Sequence, residues 1–219
     1  MVPTGARLAD IGSDHAYLPI ALCLENKIEY ALASDINEGP VNAARVNIQK
    51  NNLSARVSAI RADGLDKTKD FAPDCITVLG MGGELIVSIL DKAEWIKDER
   101  INLVLQPMTH PEILAKYLSE NGFAIVDDRI VRDGSRDDRI YRVLSARYDG
   151  ENRELTEAEA HVGRKNLDRC DEATQAYCER LMRIFETRAR GKQGSGGDAK
   201  AELDLIEEIK KEIMKHEGN

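Results

Sequence analysis

The chain is poor in aromatic residues, which make up 5% of its 219 positions, and it has a single tryptophan. A broad stacking platform for single-stranded nucleic acid is excluded by that scarcity. It has no apolar run of the ~18 residues or more that would read as a membrane-spanning helix. Met1 to Ala6 shows no basic region leading into an apolar stretch, so no signal peptide is expected. The four cysteines, Cys23, Cys75, Cys170 and Cys178, have neither CxxC spacing nor paired histidines nearby. That argues against a disulfide framework or a zinc site and points to small buried side chains in a reducing cytoplasm, with no metal. Two glycine signatures are missing as well. There is no G-x-G-x-x-G and no P-loop lysine, so a pyrophosphate cradle is poorly supported. Positive charge is short overall, since the formal net charge is −8. The distribution of charge matters more than the sum, because fields decay over about 8–10 Å in physiological salt.

From Arg7 to Tyr148 short apolar runs alternate with helical patterns. The predicted strands are Arg7–Gly12, Tyr30–Asp35, Arg56–Ala62, Asp74–Leu79, Asn102–Gln106, Phe123–Val131 and Ile140–Arg147. Helices are predicted over Tyr17–Lys27, Gly39–Asn51, Gly83–Ile96 and Pro111–Asn121. This rhythm predicts an α/β fold with a mostly parallel, Rossmann-like sheet covered on both faces. The last two strands, with no helix between them, read as an antiparallel hairpin at the sheet edge. Residues 1–150 are therefore expected to form one domain. Residues 151–219 read as a second, coiled-coil-like domain. Within it Leu167, Cys170, Thr174, Tyr177, Leu181 and Ile184 form a heptad-like seam, and Leu203, Ile206, Ile209 and Ile213 form a partner stripe. Gly191–Asp198 is expected to break the helix and close an antiparallel helical hairpin.

The chemistry-bearing residues fall at successive strand ends, where open α/β sheets bind ligands. The first strand runs into LADIGSDHAYLP and places Asp10, Gly12, Ser13, Asp14 and His15 at one turn. The second ends in ASDIN, with Asp35, Ile36 and Asn37; a carboxylate there can accept from both hydroxyls of a ribose. The third ends in RADGL, where Asp63 beside Gly64 is suited to an adenine amino group. The fourth ends in VLGMGG, where Gly80, Met81 and Gly82 leave room beside the backbone. A ligand with a ribose, an adenine and a cation suits this set, and S-adenosylmethionine is one. Asp10 and Asp14 would complement its positive end.

LADIGSDHAYLP, ASDINEGP, ADGL, GMGG and LQP (Leu105–Pro107), in this order, closely resemble the bacterial tRNA (adenine-22-N1)-methyltransferase family. The resemblance covers about Arg7 to Tyr148, and the helical tail also looks like that family's C-terminal domain. It implies a class I methyltransferase that uses S-adenosylmethionine to methylate N1 of adenine 22 in tRNA. Two departures stand out. The chain opens almost directly into a strand where the family has a helix, and Met108 stands where the family tends to carry Asn.

Asp14, Met81 and Gln106 are the expected catalytic residues, with the backbone at Gly80–Gly82 beside the methyl group. Arg129, Arg132, Arg136, Arg139, Arg142 and Arg147 crowd the edge hairpin, and the helix from His161 to Lys192 adds further cations including Arg180. From these, Arg132, Arg136, Arg139, Arg183, Arg188 and Arg190 are the expected RNA-binding residues. The protein is expected to act as a monomer. Alternatives from the residues alone are a methyltransferase for another RNA or a small metabolite, and a non-catalytic adaptor on the same fold.

Overall fold

The computed structural model describes residues 1–134 and 139–215. Alternation decides the layering. In β1 (Ala6–Ile11), Ala9 and Ile11 enter one apolar cluster and Leu8 enters the other. The strands β2 (Ile28–Asp35), β3 (Val57–Arg61), β4 (Cys75–Gly82), β5 (Asn102–Thr109), β6 (Phe123–Arg132) and β7 (Ile140–Tyr148) complete a seven-stranded sheet in the order β3-β2-β1-β4-β5-β7-β6. The pairs among β1 to β5 are parallel; β7 runs antiparallel to both β5 and β6. The hairpin thus lies at the sheet edge, but its second strand inserts inside its first.

Helices α1 (Tyr17–Leu24) and α2 (Glu38–Lys50) cover one face, where Ile20, Leu22, Ala44 and Ile48 meet Leu8, Ala31 and Cys75. Helices α3 (Gly83–Asp91) and α4 (Pro111–Glu120) cover the other, where Ile86, Leu90, Leu114 and Leu118 meet Ile76, Leu103 and Leu105. Alpha-helical structure stops at Asp91, and Glu94–Ile96 is a separate 3₁₀ turn.

The C-terminal region departs from the single seam read in the sequence. It folds as α5 (Glu157–Val162), α6 (Arg164–Arg169), α7 (Glu172–Gly194) and α8 (Lys200–Met214). Local chemistry makes the breaks. Gly163 sits at φ 95° between α5 and α6, and Cys170 at φ 44° ends α6. Asp171 then restarts the chain as an N-cap, its carboxylate accepting from the Thr174 amide at 2.9 Å. At the far end, Gly191 does not break the helix; α7 runs on to Gly194 before the turn. The stripes also shift. Tyr177, Cys178, Leu205 and Ile209 form the buried centre, whereas Leu203 is 48% exposed. Ile130 of β6 belongs to the same cluster, so the helices are packed onto the outer strand. None of the helices is long and apolar enough to cross a membrane among the described residues.

Candidate active site

The loop after β1 is wound tightly. Gly12 has φ 70°, and His15 and Ala16 also adopt left-handed backbone at φ 63° and 55°. Ser13 N–H donates to the Ser34 carbonyl at 2.8 Å, which ties this loop to the end of β2. Asn47 of α2 donates to the His15 carbonyl at 3.1 Å and fixes the other end. The His15 ring stacks on Tyr17 with centroids 5.2 Å apart, and its Nε2 lies 3.2 Å from Asp14. Non-glycine residues held in such backbone mark sites where the surroundings overrule local preference. Asp14 itself projects into solvent, with 70% of its side chain exposed. Asp10, by contrast, is buried, and Thr77 donates to it at 2.6 Å. Burial pushes its carboxyl up from the usual value, against the opposing pull of the Ser13 and Thr77 hydroxyls.

At the end of β2, Asp35 Oδ1 accepts from the Asn37 amide at 2.7 Å, which leaves its second oxygen available. Ile36 beside it is 53% exposed, an apolar surface next to a carboxylate. Asp63 is exposed at the end of β3, one residue before Gly64. The loop of β4 faces this row. A β-carbon on Gly12 would run into Met81 Cε, so the Met81 side chain lies directly over the Gly12 backbone. Gly80, at φ 79°, would place a β-carbon in open space. Gln106 Oε1 accepts from the Gly80 amide at 3.0 Å, and its Nε2 donates to Met108 Sδ at 3.4 Å. Hence Gly12, Gly80, Met81 and Gln106 form one contiguous group. Asp10, Ser13, Asp14, His15 and Gly82 adjoin it on the same strand ends, and Asp35, Ile36, Asn37, Asp63 and Gly64 follow along the sheet edge. Among the described residues no group of three or more His, Cys, Asp or Glu gathers as metal ligands.

The cations separate more sharply than the sequence implied. An open groove of about 890 Å³ lies between the edge hairpin and α7, and Arg132, Arg180, Arg183 and Arg188 line it. Arg139 lines an adjoining pocket shared by Arg180 and Arg188. Arg190 lines neither and donates to the Glu186 carbonyl at 3.3 Å. Arg136 lies outside the described residues. Arg142 is no surface cation at all. It is fully buried, with Nη2 2.7 Å from Asp128 and Nη1 2.5 Å from the Ala160 carbonyl. Burial alone would lower its pKa, but the facing Asp128 holds it above the usual value. Sequence reasoning missed Glu112, His161 and Phe185, which border the adjoining pocket from three separate elements. The positive φ of His110, immediately before α4, marks the spot in the fold but has no signature in the sequence.

This sheet order, with carboxylates and glycines at consecutive strand ends, defines a class I, Rossmann-like methyltransferase. The family model for tRNA (adenine(22)-N(1))-methyltransferase, TrmK, matches residues 8–216, and the chain belongs to that family. The Bacillus subtilis tRNA (adenine(22)-N(1))-methyltransferase is 36% identical over 156 residues, which cover 68% of this chain and 64% of that relative, just under two thirds of its length. Similar solved structures include a Streptococcus agalactiae protein of the NADB-Rossmann superfamily, 30% identical with TM-score 0.85, covering 97% of this chain and 92% of that one. Another is the B. subtilis m1A22 tRNA methyltransferase TrmK, 27% identical with TM-score 0.79, covering 97% and 91%. The M. capricolum TrmK complex with S-adenosylhomocysteine is 25% identical with TM-score 0.76, covering 98% and 92%.

Proposed function

We propose that this chain transfers a methyl group from S-adenosylmethionine to N1 of adenine 22 in tRNA, as a cytoplasmic monomer. Residues 1–150 hold the cofactor and perform the reaction, and residues 151–219 help to grip the RNA. The observation that carries this reading is an arrangement along one sheet edge: Gln106, bonded to Gly80, leads into Pro107 to His110, which line a pocket sharing Arg180 and Arg188 with a groove lined by four arginines. A small metabolite needs no such groove, which favours RNA over the metabolite alternative.

The residues present suit the cofactor. The second oxygen of Asp35 is free for ribose hydroxyls, and each charge-assisted bond of this kind contributes about 1.5–3 kcal/mol. Ile36 offers the purine an apolar surface, and Asp63 can accept from its amino group. Asp10 and Asp14 supply negative charge toward the amino end, and Gly12 and Gly80 let backbone approach closely. When bound, S-adenosylmethionine supplies an electrophilic methyl carried on a cationic sulfur.

Adenine N1 has a lone pair, so the chain needs no base to activate it. Its task is alignment, which alone can contribute about 7–11 kcal/mol of barrier lowering. Gln106 is pre-positioned for that task by its bond to Gly80 N–H, and Met81 stands between it and Gly12. Because N1 lies on the Watson–Crick edge, the adenine must be unpaired or flipped to reach them. Asp14 orients the reacting partners and offsets the positive charge that develops on the purine.

The test uses methyl-labelled cofactor, unmodified tRNA transcripts and mapping of the product base. Label on adenine 22, abolished when that adenine is replaced, is the expected result. Cofactor binding without transfer to any transcript would overturn the substrate assignment. Replacing Arg180, Arg183 and Arg188 with Gln should weaken tRNA binding and lower its salt slope by about one per lost phosphate contact, with cofactor affinity unchanged. Equal tRNA affinity in that variant would remove the groove from the binding surface.

A further inference from the structure

Beside the cationic groove lies a pocket of about 370 Å³, which the proposed methyl transfer does not use. That volume is within the range of about 300–1,000 Å³ typical of small-ligand sites. One wall is Pro107 to Pro111, directly beyond the reacting strand end, and the other is α7, through Ile184 and Phe185. Gly12, Gly80, Met81 and Gln106 are not among its lining residues, so a base seated there sits next to the reaction centre and outside it.

Alongside the donors of Arg139, Tyr141 and Tyr177, the residues Glu112 and His161 supply acceptors. Glu112 has one carboxylate oxygen 3.1 Å from His110 Nδ1, which leaves the other available. His161 lies 2.9 Å through Nδ1 from the Glu157 carbonyl. A carbonyl can only accept, so Nδ1 carries a proton, and in that tautomer of the uncharged ring Nε2 is an acceptor. The His161 ring also meets Phe185 edge-on at 5.3 Å, an aromatic arrangement that leaves ring surface beside the pocket. At the mouth stand Arg180 and Arg188, the latter 5.1 Å over Phe185. A ligand matching these groups brings two N–H donors on one edge, a flat apolar body and an anionic tail. Among nucleobases guanine offers adjacent N1–H and N2–H donors, whereas the adenine edge sets its N1 acceptor against an acceptor.

We infer that this pocket seats a guanine nucleotide of the substrate RNA, distinct from the methylated adenine, with its base edge at Glu112 and His161 and its phosphate at Arg180 and Arg188. This inference rests on the proposed RNA substrate. It makes the pocket a specificity site: the enzyme recognises a neighbouring base while it reacts with another.

The test uses the full chain saturated with S-adenosylhomocysteine, so that the cofactor site is filled, and guanosine 5′-monophosphate or adenosine 5′-monophosphate as the probe. Saturation-transfer NMR should show the guanine nucleotide bound at least tenfold more tightly than the adenine one. Ile184→Trp, at a surface position that can take the larger ring, should abolish that signal. Glu112→Gln should raise KM for tRNA about tenfold with a smaller effect on kcat. Equal binding of the two nucleotides, or a signal that survives Ile184→Trp, would overturn the pocket assignment. Methyl transfer to adenine 22 is read separately. Transfer with no guanine preference overturns the pocket alone, and a seated guanine nucleotide without transfer overturns the proposed reaction alone.

Discussion

The strand ends and the region beneath the C-terminal helices are held by opposite means. At the strand ends of β1, β2 and β4 Asp10 is buried, but several groups are partly satisfied and open to solvent. Asp35 uses one oxygen, Asp14 is largely exposed, and Gly80 faces open space. Beneath the C-terminal helices almost everything is saturated. Arg142 bonds Asp128 and the Ala160 carbonyl, Asn166 donates to both Asp128 and the Val162 carbonyl, and Arg169 caps the Asp128 carbonyl. Spare hydrogen-bonding capacity suits a place that receives a ligand. A closed buried network suits a place that must not move, because partial satisfaction in low dielectric is so costly.

The largest break in that comparison is Arg142→Ala. It strands the Asp128 carboxylate in the interior, and removing one partner of a buried pair typically costs about 3–5 kcal/mol. Urea unfolding should show that loss, or separation of the C-terminal helices from the sheet. A shift below about 1 kcal/mol would mean water reaches the pair and the network is not closed.

Two glycines sharpen the contrast at the next scale. Both have positive φ, and each would drive a β-carbon into a neighbour. At Gly163 that neighbour is the Asp128 carboxylate, already locked to Arg142, so Gly163→Ala combines backbone strain with a rigid clash. About 2–4 kcal/mol of stability should be lost. At Gly12 the neighbour is the far end of the flexible Met81 side chain, which can swing aside. Gly12→Ala should therefore cost only the backbone strain, about 1–2 kcal/mol, while cofactor affinity falls at least tenfold. Thermal melts and S-adenosylhomocysteine titrations on both variants separate the effects; a reversed ranking would refute the assignment of fold to one region and function to the other. Asp14→Asn, at an exposed side chain, should leave the melt unchanged and lower turnover about tenfold, roughly 1.4 kcal/mol of barrier. An unaltered rate would take Asp14 out of the reaction.

The same contrast explains what could be read before the structure. The strand-end motifs are local: Asp35 is bonded two residues on to Asn37, and Asp14 N–H reaches back two residues to Gly12. Short-range order of that kind is legible in a string of residues, as are the alternating strands that aim the motifs at one edge. The Arg142 clamp joins β6, β7, α5 and α6 across separations of 14 to 41 residues, and no local pattern announces it. Arg142 therefore read as one more surface cation. Likewise the heptad steps through Leu167 and Cys170 suggested one continuous helix, where the Gly163 backbone and the Asp171 cap impose breaks. The insertion of β7 between β5 and β6 was hidden for the same reason, since pairing order is set by packing at a distance.

The smallest expected effect separates the two regions by the sign of their response to acid. Burial raises the Asp10 carboxyl above its usual value, so the favourable contribution of that group is fully present below about 3.8 and is lost as pH rises through the higher folded value. At neutral pH the carboxyl therefore costs stability, and Asp10→Asn should be more stable than the parent while binding cofactor less well. That gain should shrink as the pH falls toward 4, where the carboxyl of the unfolded chain becomes protonated as well. Glu159, in the capping box of α5, behaves oppositely. Burial would raise it, but the Arg164 guanidinium and the Thr156 amide outweigh burial and hold it below its usual 4.5. Its contribution is present above 4.5 and is lost as pH falls through the lower folded value. Glu159→Gln should thus be less stable than the parent at pH 7, by about 1 kcal/mol or less given the exposed Arg164, and the deficit should close only below pH 4. Urea midpoints measured from pH 7 to 3 for the parent and both variants provide the check. If the two gaps close over the same pH interval, or either stays constant, the opposite electrostatic characters assigned to the strand ends and the helices are wrong.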